Sequence, residues 1–135
     1  MALTKVTAAV LEPTAVTDNI SDGSISSAKL ANDAVSYDKL GAEFTTSAAL
    51  SASNVDFSSA QVFTKTLTAN DTLTFSNVST GMVKDLIITG NYTLTLPASV
   101  KVISGTYDGT VSNLIQIAST NGATEQWATI SQEAV

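Results

Sequence analysis

From Val55 onward, apolar residues recur at every second position in short runs, and each run ends in Gly, Asn, Asp or Pro. Alternation of this kind places one row of side chains on a core face and the next on a solvent face, the period of a β-strand. Val62–Thr68 and Thr72–Ser76 are separated by Asn70-Asp71. Lys84–Thr89 follows the break Ser79-Thr80-Gly81, and its continuous apolar centre predicts a strand buried on both faces. Gly90-Asn91 predicts a tight hairpin into Tyr92–Leu96, where Tyr92, Leu94 and Leu96 alternate with Thr93 and Thr95. Val100–Ile103, Val111–Ala118 and Gln126–Ser131 complete the series, with Asn121-Gly122 as a second hairpin-type turn. Short strands at this spacing predict an antiparallel sandwich or jelly roll. Phe63, Phe75, Leu86, Ile88, Leu94, Ile115 and Trp127 are its expected core.

The first part of the chain is patterned differently. Residues 22–31 (DGSISSAKLA) and 32–41 (NDAVSYDKLG) align as two ten-residue units, matching Ile25 with Val35, Lys29 with Lys39 and Leu30 with Leu40. Two apolar anchors per unit are too sparse to close a core within one chain, so such units need neighbours to bury them. The expected organisation is therefore an extended interaction arm over 1–54 and a β-domain over 55–135, with residues 42–54 as a connector. Ile20, Ile25, Leu30, Val35 and Leu40 are the expected assembly contacts of the arm. A flexible Ser/Ala-rich linker is the plainer reading of the same stretch.

Composition sharpens this picture. Charged residues make up 13% of the chain, and Ser and Thr together exceed a quarter of it. Thr and Val suit a half-buried pleated surface. The net charge is −6, carried by twelve carboxylates against six lysines, with no arginine. Scattered lysines supply no basic footprint for nucleic acid, nor for an anionic membrane surface. Cysteine is absent, which excludes disulfides and thiolate metal sites. The opening MALTKVTAAVLEP lacks a positive n-region and an unbroken apolar core, so no secretory signal is expected, and Met1 reads as a native start.

Chemistry is hard to place on this sequence. Histidine is absent, which removes imidazole general bases, Ser–His–Asp triads and imidazole zinc sites. No phosphate-cradling glycine loop occurs. The segment Asp18–Gly23 superficially matches a calcium loop, but Ile20 occupies a ligand position and Lys29 stands where a bidentate Glu is required. The acids are dispersed singly in turns. No catalytic residue, metal ligand or cofactor site is expected, and the chain is read as a non-enzyme. Tyr107, in the Gly- and Asp-rich break Ser104–Gly109, is the candidate ligand contact, as a ring that could stack on a sugar.

The opening MALTKV and the paired units around DGSISSAKLANDAVSYDKLG resemble the N-terminal segments of bacteriophage tail-fibre and related virion proteins. Ile25, Lys29, Leu30, Ala34, Val35, Lys39 and Leu40 carry the likeness. It covers about 45 residues; the strand-rich remainder is similar to small phage β-domains in texture only. The resemblance implies a homotrimer on the exterior of a virion, assembled in the host cytoplasm. The arm would grip other virion proteins of the tail or capsid while the β-domain faces outward. Only two units are present, so a short fibre or adaptor fits better than a long fibre. Capsid decoration is the alternative expectation, and a β-sandwich that binds a host-surface glycan is the second.

Overall fold

A computed structural model describes Leu30, Asn32 and residues 34–134. Ile20, Ile25 and the Asp18–Gly23 segment lie outside the described residues. Tyr37–Val135 forms one compact unit.

The unit is mainly β, with ten strands: β1 (Ser47–Ala49), β2 (Asn54–Asp56), β3 (Val62–Thr66), β4 (Asp71–Thr72), β5 (Thr74–Ser76), β6 (Val83–Thr89), β7 (Leu94–Thr95), β8 (Val100–Ser104), β9 (Asn113–Asn121) and β10 (Glu125–Gln132). A 3₁₀ turn at Tyr37–Lys39 and a helical turn at Ala42–Thr45 precede them. The strands do not form a sandwich. Chain-adjacent strands run around successive coils, and strands of successive coils stack in parallel. β1 pairs with β3 and β3 with β6; β2 pairs with β5; β4 pairs with β7. This is a short β-solenoid, which replaces the expected antiparallel jelly roll. Its last coil is closed by an antiparallel pair: β9 lies between β6 and β10, and β8 joins the outer side of β10 in parallel.

The corners explain the difference. After β6 the chain turns at Gly90 (φ +110°), but β7 does not return beside β6. Instead the corner rests on the corner of the coil below: Leu67 N–H donates to the Thr89 carbonyl at 2.8 Å. A Cβ on Gly90 would run into the Leu67 carbonyl oxygen. Gly90 is thus required by close backbone approach as well as by its dihedral. The adjoining corner is cross-linked by polar side chains, with Asp71 accepting from Ser53 Oγ and pairing with Lys65 Nζ at 2.9 Å. These contacts, the serine hydrogen bond foremost and then the lysine, hold the Asp71 carboxyl below its ordinary range. Only at Asn121-Gly122 does the chain make the expected hairpin, joining β9 to β10.

The core is a ladder that runs across the coils. In register, Ala48, Phe63, Leu86, Ile115 and Ile130 follow one another from β1 through β3, β6 and β9 to β10. Phe63, Leu86, Ile88, Ile115, Val55, Phe57, Leu73 and Ile117 are almost completely buried. Phe57 and Phe75 rings meet at 5.2 Å. Of the expected core, Phe75 and Leu94 are partly buried at its margin.

Trp127 is not in the core: it is 42% exposed. A bulge between Glu125 and Gln126 sets the parity of β10, so Gln126 and Ala128 point inward and Trp127 outward. A one-residue slip in register exchanges the two faces of a strand. Gln126 tolerates burial because Ser99 Oγ donates to its Oε1 at 2.6 Å and its Nε2 donates to the Gly122 carbonyl. β6 is likewise buried on one face only, with Lys84, Leu86 and Ile88 inward and Ile87 exposed. Lys84 reaches the Glu43 carbonyl and lies 5.8 Å from the Phe44 ring. Burial pushes its pKa down, opposed by the Glu43 charge.

Candidate functional site

Two surface features are built from specific side chains. The first is an apolar row on the outer face of the main sheet. Val83, Ala118 and Trp127 are neighbours in register, and Lys101 follows on β8. The Lys101 ammonium lies 5.8 Å from the Trp127 ring centroid and pairs with Glu125, which also accepts from the indole N–H at 2.9 Å. Lys101, then Trp127 and Thr120, bring the Glu125 pKa down from 4.5 to about 2. Ile103 and Ile87 add further exposed apolar surface.

The second feature is an open groove of about 720 Å³ between the corner after β6 and the loop joining β8 to β9. Its floor is formed where these two segments meet backbone to backbone. A Cβ on Gly109 would stand 2.6 Å from both Asn91 Cα and the Gly90 carbonyl oxygen. Tyr107 Oη closes the junction by donating to the Gly90 carbonyl at 2.7 Å. Burial, and secondarily the Asp108 charge, pushes the Tyr107 pKa up.

Asn113 holds the loop from below. It is completely buried at the start of β9; its Oδ1 accepts from Asp108 N–H at 2.9 Å, and its Nδ2 donates to the Asp108, Val111 and Ile88 carbonyls. A buried amide with its donors and acceptor engaged fixes one conformation of the loop it serves. Asp108 Oδ1 accepts from Thr110 N–H and Oγ1, which lowers its pKa. Asn70, Asn91, Tyr92, Thr106 and Gln132 complete the wall. Asn70 accepts from Thr93 N–H at 2.9 Å, and Gln132 donates to the Thr106 carbonyl at 2.8 Å.

Tyr107 therefore lines the groove, but its hydroxyl is engaged and its ring packs against the core. The exposed ring of the groove is Tyr92, at 46% exposure, which the sequence places at the start of the strand expected after a Gly90-Asn91 hairpin. The sequence pattern gives no sign of this role, because a Gly-Asn turn before an alternating run predicts a hairpin strand; at a coil corner Tyr92 faces outward.

No family model, curated protein or solved structure matches this chain. The groove chemistry must therefore be judged from its residues. Asp108 is the single carboxylate among the residues lining it, and no cationic side chain lines it. Among the described residues no group of three or more His, Cys, Asp or Glu is placed to hold a metal ion, and no helix is long and apolar enough to cross a membrane.

The arm residues that the described part includes are Leu30, Val35 and Leu40, exposed by 46%, 60% and 42%. Tyr37 and Phe44 are also exposed.

Proposed function

We propose that this chain is a non-enzymatic structural protein on the exterior of a bacteriophage particle, a tail-fibre-type component. Its N-terminal arm attaches it, and its β-solenoid is displayed. The observation that carries the reading is the run of exposed apolar side chains Leu30, Val35, Tyr37, Leu40 and Phe44, just ahead of the first strand. Such side chains gain from burial by a partner, at roughly 1.5–3 kcal/mol for each one fully covered. The likeness of DGSISSAKLANDAVSYDKLG to virion arms supplies the kind of partner: other tail or capsid proteins.

A homotrimer belongs to the same proposal. Anchors this sparse become effective when several chains engage together through effective concentration. The exposed Val83 and Trp127, flanking half-buried Ala118 in register, also support a body that is not surrounded by water alone. Sedimentation of the full-length chain tests this, with a trimer as the expected species.

Capsid decoration is the alternative within the same class, since an arm that clamps capsomers needs the same exposed anchors. Quantifying and locating the chain in purified particles separates the two. A few copies to tens of copies at the tail support the fibre reading; hundreds of copies on the head overturn it in favour of decoration.

A further inference from the structure

We propose that the groove between the Gly90-Asn91 corner and the Tyr107–Gly109 loop is a binding site for a short neutral oligosaccharide, with Tyr92 as its stacking platform. This inference is independent of the virion reading, which survives if no sugar binds.

The groove has the chemistry that a sugar requires. A sugar offers hydroxyls that both donate and accept, together with an apolar C–H face. It is held by convergent amides and carboxylates beside an exposed aromatic ring. The groove presents that set. Tyr92 is the exposed ring. Among the described residues, the Asn91 side chain and the Tyr92 hydroxyl have no protein hydrogen-bond partner. The Asn70 amide uses only its oxygen (toward Thr93), Gln132 only its nitrogen (toward Thr106), and Asp108 only Oδ1. Donors and acceptors thus remain available on both walls. At about 720 Å³ the groove lies within the range of small-ligand sites, roughly 300–1,000 Å³.

The groove is also rigid. Ordering a loop on binding consumes affinity, and a site built in advance avoids that cost. Here the floor is fixed before any ligand arrives by the Gly109–Asn91 backbone contact, the Tyr107–Gly90 hydrogen bond and the buried Asn113 network.

Charge chooses the class of sugar. One carboxylate and no cation line the groove, on a chain of net charge −6. Uronates and sialylated glycans would meet repulsion with no arginine or lysine to pair them. A glycosidase of the usual kind needs two carboxylates flanking the bond, and Asp108 stands alone here, so the site is assigned to binding.

The test uses the full-length chain on an array of short neutral oligosaccharides (gluco-, galacto-, manno- and N-acetylhexosamine series) beside sialylated and uronate-containing ones. The expected result is binding to one or more neutral members. Free reducing-end oligosaccharides of the same sequence should compete, which shows that the sugar and not the array linker is recognised. Tyr92→Ala should weaken binding at least tenfold and Asn91→Ala severalfold, with the melting temperature of each close to wild type because both side chains are exposed. Trp127→Ala, which removes an exposed aromatic residue from the outer sheet face, should leave binding unchanged. Absence of binding across the array overturns the proposal. So does a preference for acidic glycans, or loss of binding in Trp127→Ala with retention in Tyr92→Ala.

Discussion

Replacing Gly90 with alanine probes the stacking of one coil on another. Two separate costs are expected. Gly90 has φ +110°, where an L side chain is strained by about 1–3 kcal/mol. Its new Cβ would also press into the Leu67 carbonyl and stand 2.9 Å from the Leu67 nitrogen, both backbone atoms of the neighbouring coil. Backbone cannot swing aside as a long side chain can, so this adds about 1–3 kcal/mol, the usual penalty of overpacking. Gly81 isolates the first cost. It also has positive φ, at +86°, but a Cβ there meets nothing within 4 Å. Gly81→Ala should therefore lose only the conformational part, and Gly90→Ala about 2 kcal/mol more. For a domain of this size that difference corresponds to roughly 8–16 °C in melting temperature. Urea denaturation followed by circular dichroism gives both values on one scale. If Gly90→Ala costs no more than Gly81→Ala, to within about 0.5 kcal/mol, the corner of β6 does not rest on Leu67 and the coil-on-coil arrangement is wrong.

Further expectations follow from burial and charge. Ile115→Ala, in the middle of the ladder, should cost about 2–5 kcal/mol in the same assay, whereas Trp127→Ala should stay within roughly 0.5 kcal/mol because the ring lies outside the core. Asn113→Ala should cost about 2–4 kcal/mol, as it removes the acceptor of the part-buried Asp108 N–H and a donor to the buried Ile88 carbonyl; amide exchange at Asp108–Val111 should quicken beyond the global loss. Glu125 should titrate near pH 2, followed by carboxyl NMR. Its folded pKa lies below the ordinary 4.5, so its stabilising contribution is present above that value and fades as pH falls from about 4.5 through about 2. Lys101→Ala should move this midpoint upward, and a wild-type midpoint near 4.5 would contradict the contact with Lys101.

The strands were readable because period-2 alternation depends only on which face is buried. Phe63, Leu86, Ile88 and Ile115 were found in this way, and Asn121-Gly122 gave the hairpin between β9 and β10. Alternation does not say which strand lies alongside, or in which direction. A Gly-Asn pair ends a strand equally well at a hairpin and at a solenoid corner; the contact of Gly90 with Leu67, from the previous coil, decides between them and leaves no local mark. Trp127 was misplaced for a related reason. One bulge at Glu125/Gln126 sets the parity of β10, and an inward glutamine with its own hydrogen bonds is invisible to a hydrophobic pattern. The connector expected at 42–54 includes β1, whose Ser-Ala-Ala is too short and too weakly apolar to announce a strand, yet pairs with Val62–Thr64. The groove was half legible: Tyr107 and the Asp108-Gly109 turn stood out, while Tyr92 became a groove residue only once its strand became a corner.

In the proposed function, the exposed anchors ahead of the solenoid attach this chain to a particle. The most direct measurement is the incorporation of a Leu30→Asp/Leu40→Asp variant into assembled phage particles, quantified against wild type. The expected result is loss of the variant from purified particles while its β-unit keeps the wild-type melting temperature and circular dichroism. Incorporation at the wild-type level would show that these residues belong to a mere linker and would contradict the claim.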